Sequence, residues 1–280
     1  MKTFEGRRLV IATKHGKEKV LGPLLESVLG VECLILPEFD TDQFGTFSGE
    51  VSRVDDPLTT AKKKAQLAME ISGCDMAVAS EGSFGPHPTL YFTAADEELL
   101  LLVDKKLDLE IAVRQLSTDT NYSSVTVTTW EELLDFAKKV GFPSHALILR
   151  RSHDDLTTVK KGITDIIELK EYFMELRARY PRVCVETDMR AHHNPSRMAV
   201  IEQAGRKLTE VVIVECPNCS NPGFGLIDVT SGLVCSLCGT PTASIKSHVY
   251  GCKKCGHTDE RMFPFDKKQE DPMFCDVCNP

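Results

Sequence analysis

The sequence has no excess of positive charge: 33 Lys and Arg stand against 41 Asp and Glu, a net charge of −8. A protein that binds nucleic acid without sequence preference normally carries a basic footprint. Aromatic residues make up only 7% of the chain, and single-strand binders use aromatic side chains as stacking platforms. The composition therefore disfavours a general nucleic-acid binder, although a local basic patch such as Lys62–Lys64 stays compatible with it.

The sequence also lacks long hydrophobic runs. Residues 1–8 are polar and lead directly into a strand-like run, so the pattern of a secretory signal is missing. No stretch of 18 apolar residues could form a membrane-spanning helix. We therefore expect a cytoplasmic protein with no membrane partner.

Cysteine, by contrast, is concentrated at one end. Eight of the 11 cysteines lie in the last 65 residues as Cys-x-x-Cys pairs: Cys216/Cys219, Cys235/Cys238, Cys252/Cys255 and Cys275/Cys278. The spacer of 15 residues between the first two pairs and that of 19 residues between the last two pairs fit a double zinc pattern. A disulfide framework is the alternative, but thiols stay reduced in the cytosol. The pattern predicts two structural Zn²⁺ sites. Consecutive pairs are expected to share an ion, while a cross-braced pairing of alternate pairs has the same signature.

The cysteine-rich segment divides the chain. A helical pattern gives way to the apolar run Val211–Val214 directly before Cys216. We predict an α/β domain over residues 1–210, with a mixed twisted sheet and flanking helices. A small double zinc-ribbon domain is predicted over residues 211–280.

The N-terminal half begins with a strand, a basic loop, a helix and a second strand. Residues 9–12 read as a buried strand, residues 18–29 as an amphipathic helix and residues 32–36 as a strand. Such a unit predicts two parallel strands. Anions bind at the carboxyl ends of such strands, so Lys14 and Lys17 are candidate phosphate ligands, or else two solvated lysines.

Two further acidic motifs follow. Asp56 precedes Pro57, a combination typical of a helix start, and the helix is predicted over about residues 58–71. Asp75 and Glu81 bracket a short apolar strand that ends at Gly82. Carboxylates near a phosphate loop are typical of a Mg²⁺ site, although a turn and a surface Glu would look the same.

Together these motifs resemble the inosine/xanthosine triphosphatase family, which hydrolyses non-canonical purine nucleoside triphosphates to the monophosphate and pyrophosphate. Four segments match its motifs in order over about residues 7–85: Thr13–Lys17, Ser48–Val51, Asp56–Ala65 and Asp75–Ser83. The chain departs from the family's pattern at five positions: Lys14, Asp56, Pro57, Lys64 and Ser83.

The resemblance implies roles for individual residues. Thr13, Lys14 and Lys17 would bind the triphosphate. Asp56 would take the place of the family's metal-binding acid, and Asp75 and Glu81 would hold Mg²⁺ and orient the attacking water.

A second polar cluster lies at residues 186–197, where two acids, two arginines and two histidines surround the helix start Asn194-Pro195. Arg190, Ser196 and Arg197 are further candidate substrate ligands, because Ser196-Arg197 is similar to a base-reading element of the triphosphatase superfamily. The whole chain also resembles an uncharacterised bacterial family with an Arg…Asn-Pro-Ser/Thr-Arg signature.

We therefore expect a Mg²⁺-dependent nucleoside triphosphate pyrophosphatase. One alternative is a protein without turnover that binds a nucleotide, an RNA or a protein partner, the last two through its zinc ribbons. Another is an unrelated hydrolase with Asp188, His192 and His193 as metal ligands.

Overall fold

The computed structural model describes residues 3–37, 39–41 and 55–280. The predicted motif Ser48–Val51 lies outside these ranges. The chain divides into two compact units, Met1–Thr209 and Glu210–Pro280. The first unit is a mixed α/β structure and the second is a small β structure with two four-cysteine clusters, which confirms the predicted fold class.

Two sheets form the first unit within the described ranges. The strands are β1 (Arg8–Ala12), β2 (Glu32–Ile35), β3 (Met76–Pro86), β4 (Ala94–Asp104), β5 (Leu109–Ser117), β6 (Ser124–Val127), β7 (Leu147–Arg150), β8 (Lys160–Ile163) and β9 (Val183–Thr187). The helices are α1 (Glu18–Leu29), α2 (Pro57–Ser72), α3 (Trp130–Lys139), α4 (Ile166–Arg179) and α5 (Pro195–Val212), whose last turn passes into the second unit.

The first sheet is mixed, with strand order β2-β1-β3-β4-β5. Strand β1 pairs in parallel with β2 and β3, as predicted for the strand–loop–helix–strand unit. The long strands β3, β4 and β5 continue as an antiparallel meander. Strands β1 and β3 run in the same direction, and the carboxyl end of β1 at Ala12 lies beside Ala79 in the first half of β3, which continues beyond it to Pro86.

Helix α2 covers one face of this sheet. Its small side chains Ala61, Ala65 and Ala68 are fully buried, and Met69 is 1% exposed. The predicted helix start is confirmed, since the Asp56 carboxylate accepts hydrogen bonds from the backbone N–H groups of Leu58 and Thr59.

The second sheet is antiparallel, with order β6-β9-β7-β8. One face packs on α3 and α4 through an apolar core that includes Leu147, Leu149, Val183 and Val185. Because side chains alternate along a strand, the intervening residues Ile148, Arg150, Cys184 and Glu186 face the other way. The opposite face of this sheet is therefore polar.

The second unit is a three-stranded antiparallel meander of β10 (Gly225–Ser231), β11 (Ile245–Gly251) and β12 (Thr258–Met262). The Cys-x-x-Cys pairs lie in the connections at the two ends of these strands. Across the described ranges of the whole chain, we find no helix with the length and apolar character needed to cross a membrane.

Candidate functional site

A cavity of about 660 Å³ opens in the first unit. It lies where the carboxyl end of β1 and residues 80–84 of β3 face the polar side of the second sheet. Its charged lining residues are Lys14, Lys17, Lys64, Arg150, Lys161, Arg190, Arg197, Glu81, Glu186 and Asp188. In the described part of the chain, seven Lys and Arg side chains and three carboxylates line the cavity, so cations outnumber acids on its wall.

The loop after β1 contributes Lys17 to the cavity floor. The side chain is 7% exposed, and its Nζ donates a hydrogen bond to Ser80 Oγ at 2.8 Å. Gly16 just before it has φ +76°, which favours glycine. Burial lowers the pKa of Lys17 to about 8, and nearby Arg197 adds to this effect. Lys17 therefore carries its positive charge at neutral pH.

Arg197, in the first turn of α5, is almost fully buried. Its Nε donates to Glu98 Oε1 at 2.6 Å and its Nη1 to the carbonyl oxygen of Met189 at 2.5 Å. The guanidinium lies over the Phe84 ring, 5.0 Å from its centroid. These contacts fix the Arg197 guanidinium at the cavity wall.

Of the three carboxylates predicted to bind Mg²⁺ or water, only Glu81 lines the cavity within the described ranges. It is 8% exposed, and its Oε1 lies 2.5 Å from Lys64 Nζ. Asp75 lies at the other end of β3, where it pairs with Arg7 at 3.0 Å. Asp56 is exposed and caps α2.

The residues of the predicted polar cluster at 186–197 have different structural roles. Asp188 is fully buried and is held by Arg190, whose Nη2 lies 2.6 Å from Oδ2. Burial favours the neutral form of this acid, but the hydrogen bond from Arg190 lowers its pKa. Asn194 accepts a hydrogen bond from the Arg197 backbone N–H at 3.0 Å and so starts α5. Ser196 is 2.9 Å from His145 Nε2 and is not among the cavity-lining residues.

The two histidines of this cluster lie together, with ring centroids 4.0 Å apart. Burial lowers the pKa of both His192 and His193. The described residues contain three groups of metal-ligand side chains whose atoms approach within 4.8 Å, and Asp188, His192 and His193 belong to none of them. The alternative metal site on these three residues therefore has no geometric support.

Sequence reasoning missed several lining residues, among them Arg150, Lys161, Phe84 and Tyr122. Arg150 ends an apolar strand and is 4% exposed. A charged residue directly after the apolar run 146–149 could have indicated a side chain at the carboxyl end of a buried strand. Phe84 and Tyr122 come from distant segments and stack with centroids 5.6 Å apart. Nothing in their local sequence indicates this pairing.

The eight C-terminal cysteines form two clusters. One contains Cys216, Cys219, Cys252 and Cys255, and the other contains Cys235, Cys238, Cys275 and Cys278. The closest inter-pair sulfur distances are 3.6–3.8 Å. Two thiolates of a tetrahedral zinc site, each about 2.3 Å from the ion, are about 3.8 Å apart. Both clusters could therefore hold zinc.

The expectation that consecutive pairs share a cluster is wrong, because alternate pairs come together. The antiparallel meander is the reason. The segment before β10 and the turn between β11 and β12 lie at one end of the sheet. The connection between β10 and β11 lies at the other end. The segment after β12 returns to that end, where Cys235 and Glu270 form an isolated β-bridge.

A protein-family model described as "Domain of unknown function (DUF6671)" matches residues 64–280. No curated protein matches the sequence. Among solved structures, the chain is similar to "Crystal structure of protein VC0702 from Vibrio cholerae", at 13% identity and a TM-score of 0.33. That match covers 72% of this chain and 93% of the other, and a TM-score this low does not establish a shared fold. The family match confirms the resemblance to an uncharacterised family, and these matches lend no support to the triphosphatase resemblance.

Proposed function

The chain belongs to the DUF6671 family, and we propose that its N-terminal unit binds a nucleoside triphosphate and hydrolyses it to a monophosphate and pyrophosphate. The observation that carries the proposal is the charge of the cavity, which seven Lys and Arg side chains and three carboxylates line in the described part of the chain. A triphosphate carries the high negative charge that suits such a wall. Phosphate oxygens also match the donor geometry of arginine and lysine.

The stacked pair Phe84 and Tyr122 supports a nucleotide rather than a bare polyphosphate. Both side chains line the same cavity as Lys17 and Arg197. Aromatic rings offer a face on which a base stacks. An aromatic pair beside a cationic wall suits a ligand that is aromatic at one end and anionic at the other.

Hydrolysis is assigned to Glu81. In the proposed step a water oxygen attacks the α-phosphorus, and the bond from this phosphorus to the bridging oxygen of the β-phosphate breaks. Pyrophosphate leaves with the bonding electron pair, and the Glu81 carboxylate accepts the proton of the water. Lys64, 2.5 Å from Glu81 Oε1, orients that carboxylate, while Lys17 and Arg197 stabilise the charge that develops on the phosphate oxygens.

The residues present do not fit the Mg²⁺ site that the triphosphatase resemblance implies. Asp56 is engaged at a helix start, and Asp75 lies at the opposite edge of the sheet. Among the described residues, the three lining carboxylates Glu81, Glu186 and Asp188 do not form a group whose oxygens all lie within 4.8 Å of one another. The proposed step therefore relies on cationic side chains for charge neutralisation.

Binding without turnover is the second candidate. The ion pair between Glu81 and Lys64 favours it, because a carboxylate engaged by a lysine is a weaker base. For the C-terminal unit, we propose that Zn²⁺ occupies both four-cysteine clusters and that this unit binds a protein or RNA partner.

The test measures binding and pyrophosphate release with a panel of canonical and non-canonical nucleoside triphosphates, with and without Mg²⁺. We expect binding by the wild type and turnover that Glu81→Gln abolishes while binding is retained. Binding of a nucleotide without turnover would support the second candidate. Failure of every triphosphate to bind would refute both.

Helix α2 offers a matched control. Lys64 is 8% exposed and lines the cavity, whereas Lys62 pairs with Glu110 at the surface. Lys64→Met should weaken triphosphate binding about tenfold or more, because it removes one cation from the cavity wall and leaves the negative charge of Glu81 without its partner lysine beside the bound phosphates. Lys62→Met should bind like the wild type.

A further inference from the structure

Three side chains with different metal-binding groups meet on the polar face of the second sheet. The ligand atoms of His153, Cys184 and Glu186 all lie within 4.8 Å of one another. Cys184 and Glu186 are two residues apart on β9, so both project from the same face. Their neighbours Val183 and Val185 point into the apolar core on the other side.

The carboxylate at the centre of this group is held in place. Glu186 Oε2 lies 2.5 Å from Arg150 Nη2, and Glu186 Oε1 lies 2.7 Å from His153 Nδ1. Arg150 stands opposite Cys184 in the β7–β9 register and is 4% exposed. Its positive charge offsets one of the two negative charges that a thiolate and a carboxylate would bring to a metal ion.

We propose that His153, Cys184 and Glu186 form a binding site for a zinc-type divalent cation with one open coordination position. Zinc accepts sulfur, imidazole nitrogen and carboxylate oxygen alike, at about 2.0–2.3 Å. Magnesium prefers an all-oxygen shell, so a thiolate in the set selects against it. Three protein ligands with an open fourth position are typical of reactive zinc sites, whereas structural sites are closed by four.

The His153 side chain can close the site around an ion. It lies on the loop after β7 and is 72% exposed, while Cys184 and Glu186 are fixed in a strand. The imidazole can therefore move away from Glu186 to admit the ion without any change in the sheet.

The open position would be available to a ligand in the cavity. His153 and Glu186 line the cavity together with Lys161 and Arg190. A water molecule or an anionic oxygen, such as that of a phosphate, would complete the tetrahedron. Metal binding itself does not depend on the proposed hydrolysis.

The experiment measures the zinc content of the full chain after zinc loading and gel filtration. We expect three Zn²⁺ per chain, of which two belong to the four-cysteine clusters. Cys184→Ser and His153→Ala should each lose one equivalent. Cys74→Ser, which removes another buried cysteine, and His87→Ala, which removes a histidine elsewhere, should lose none.

Two features keep the result decisive. All four variants keep both four-cysteine clusters, so the difference between variants reports the proposed site alone. His153 is exposed, and its removal should not disturb folding even if Cys184→Ser does. The proposal is overturned if the wild type binds two Zn²⁺, or if His153→Ala binds as many as His87→Ala. Because no turnover is measured, a failed hydrolysis assay does not affect this outcome.

Discussion

The Nε atom of Arg197 lies 2.6 Å from Oε1 of Glu98, and both side chains are buried. The two residues are 99 positions apart in the chain and join α5 to β4. Gly82 on β3 is paired with Glu98 in the sheet, and its missing side chain leaves the space that the guanidinium occupies. This contact sets the position of the most buried cation at the cavity.

A methyl group at position 82 should therefore displace Arg197. A Cβ atom there would lie 2.7 Å from Glu98 Oε1 and would collide with the guanidinium. We expect Gly82→Ala to lower the free energy of unfolding by about 1–3 kcal/mol, as in other overpacked sites, and to weaken triphosphate binding. Thermal unfolding and titration calorimetry measure the two effects.

Gly85 provides the control for this substitution. It lies on the same strand, and a Cβ atom there would meet nothing within 4 Å. Gly85→Ala should leave both stability and binding close to wild type. Equal effects of the two substitutions would mean that Gly82 does not set the position of Arg197.

Asp96 should make stability depend on pH near neutrality. Burial, with Glu98 nearby, raises its pKa from 3.8 to about 7, and neither carboxylate oxygen has a hydrogen-bond partner among the described residues. At a pH between 3.8 and about 7, Asp96 therefore keeps its proton in the folded state, whereas the unfolded chain has already released it. This contribution to stability falls as pH rises from about 4 to about 7 and is constant above that range.

Asp96→Asn removes the titration. The variant should gain more stability relative to wild type at pH 8 than at pH 5, as measured by denaturant unfolding at both values. Asp119→Asn, at an exposed position, serves as the control and should show no such difference. A gain for Asp96→Asn that is the same at both pH values would contradict the expectation.

The alternate pairing of cysteines predicts which combined substitutions remove zinc. Serine at residues 216, 219, 252 and 255 destroys one cluster and leaves the other intact, so one Zn²⁺ should remain in the ribbon unit. Serine at residues 216, 219, 235 and 238 leaves two ligands in each cluster, so none should remain.

Consecutive pairing predicts the reverse order of zinc contents. Metal analysis of the two purified variants therefore discriminates between the two topologies. Because each variant lacks the same number of cysteines, a general loss of metal from misfolding would lower both contents equally and would not produce the expected difference.

Local structure was predictable in detail. The helix at residues 18–29 has the bounds expected from its apolar spacing, and α2 starts at Pro57 after its Asp56 cap. Both signals act within one turn of chain, through side-chain periodicity and backbone hydrogen bonds. Strand β8 was missed, because Lys160–Ile163 is a short polar edge strand whose pairing comes from a neighbour.

The candidate site was only partly predictable. Asp75 and Glu81 looked equivalent around one strand, yet an extended chain separates residues six positions apart by about 20 Å. One carboxylate reaches the cavity, and the other pairs with Arg7 at the far edge. Arg150 and Tyr122 join the site from segments that carry no motif.

Local patterns in the chain were enough to predict the fold class, the first helices and strands, and the ligand chemistry of the cysteine pairs, because periodicity, caps and Cys-x-x-Cys turns act over a few residues. The folded arrangement was needed to learn which cysteine pairs share a cluster, which acids reach the cavity, and that His153 meets Cys184 and Glu186. Those outcomes depend on strand order and direction, which are set by long-range pairing across the sheets.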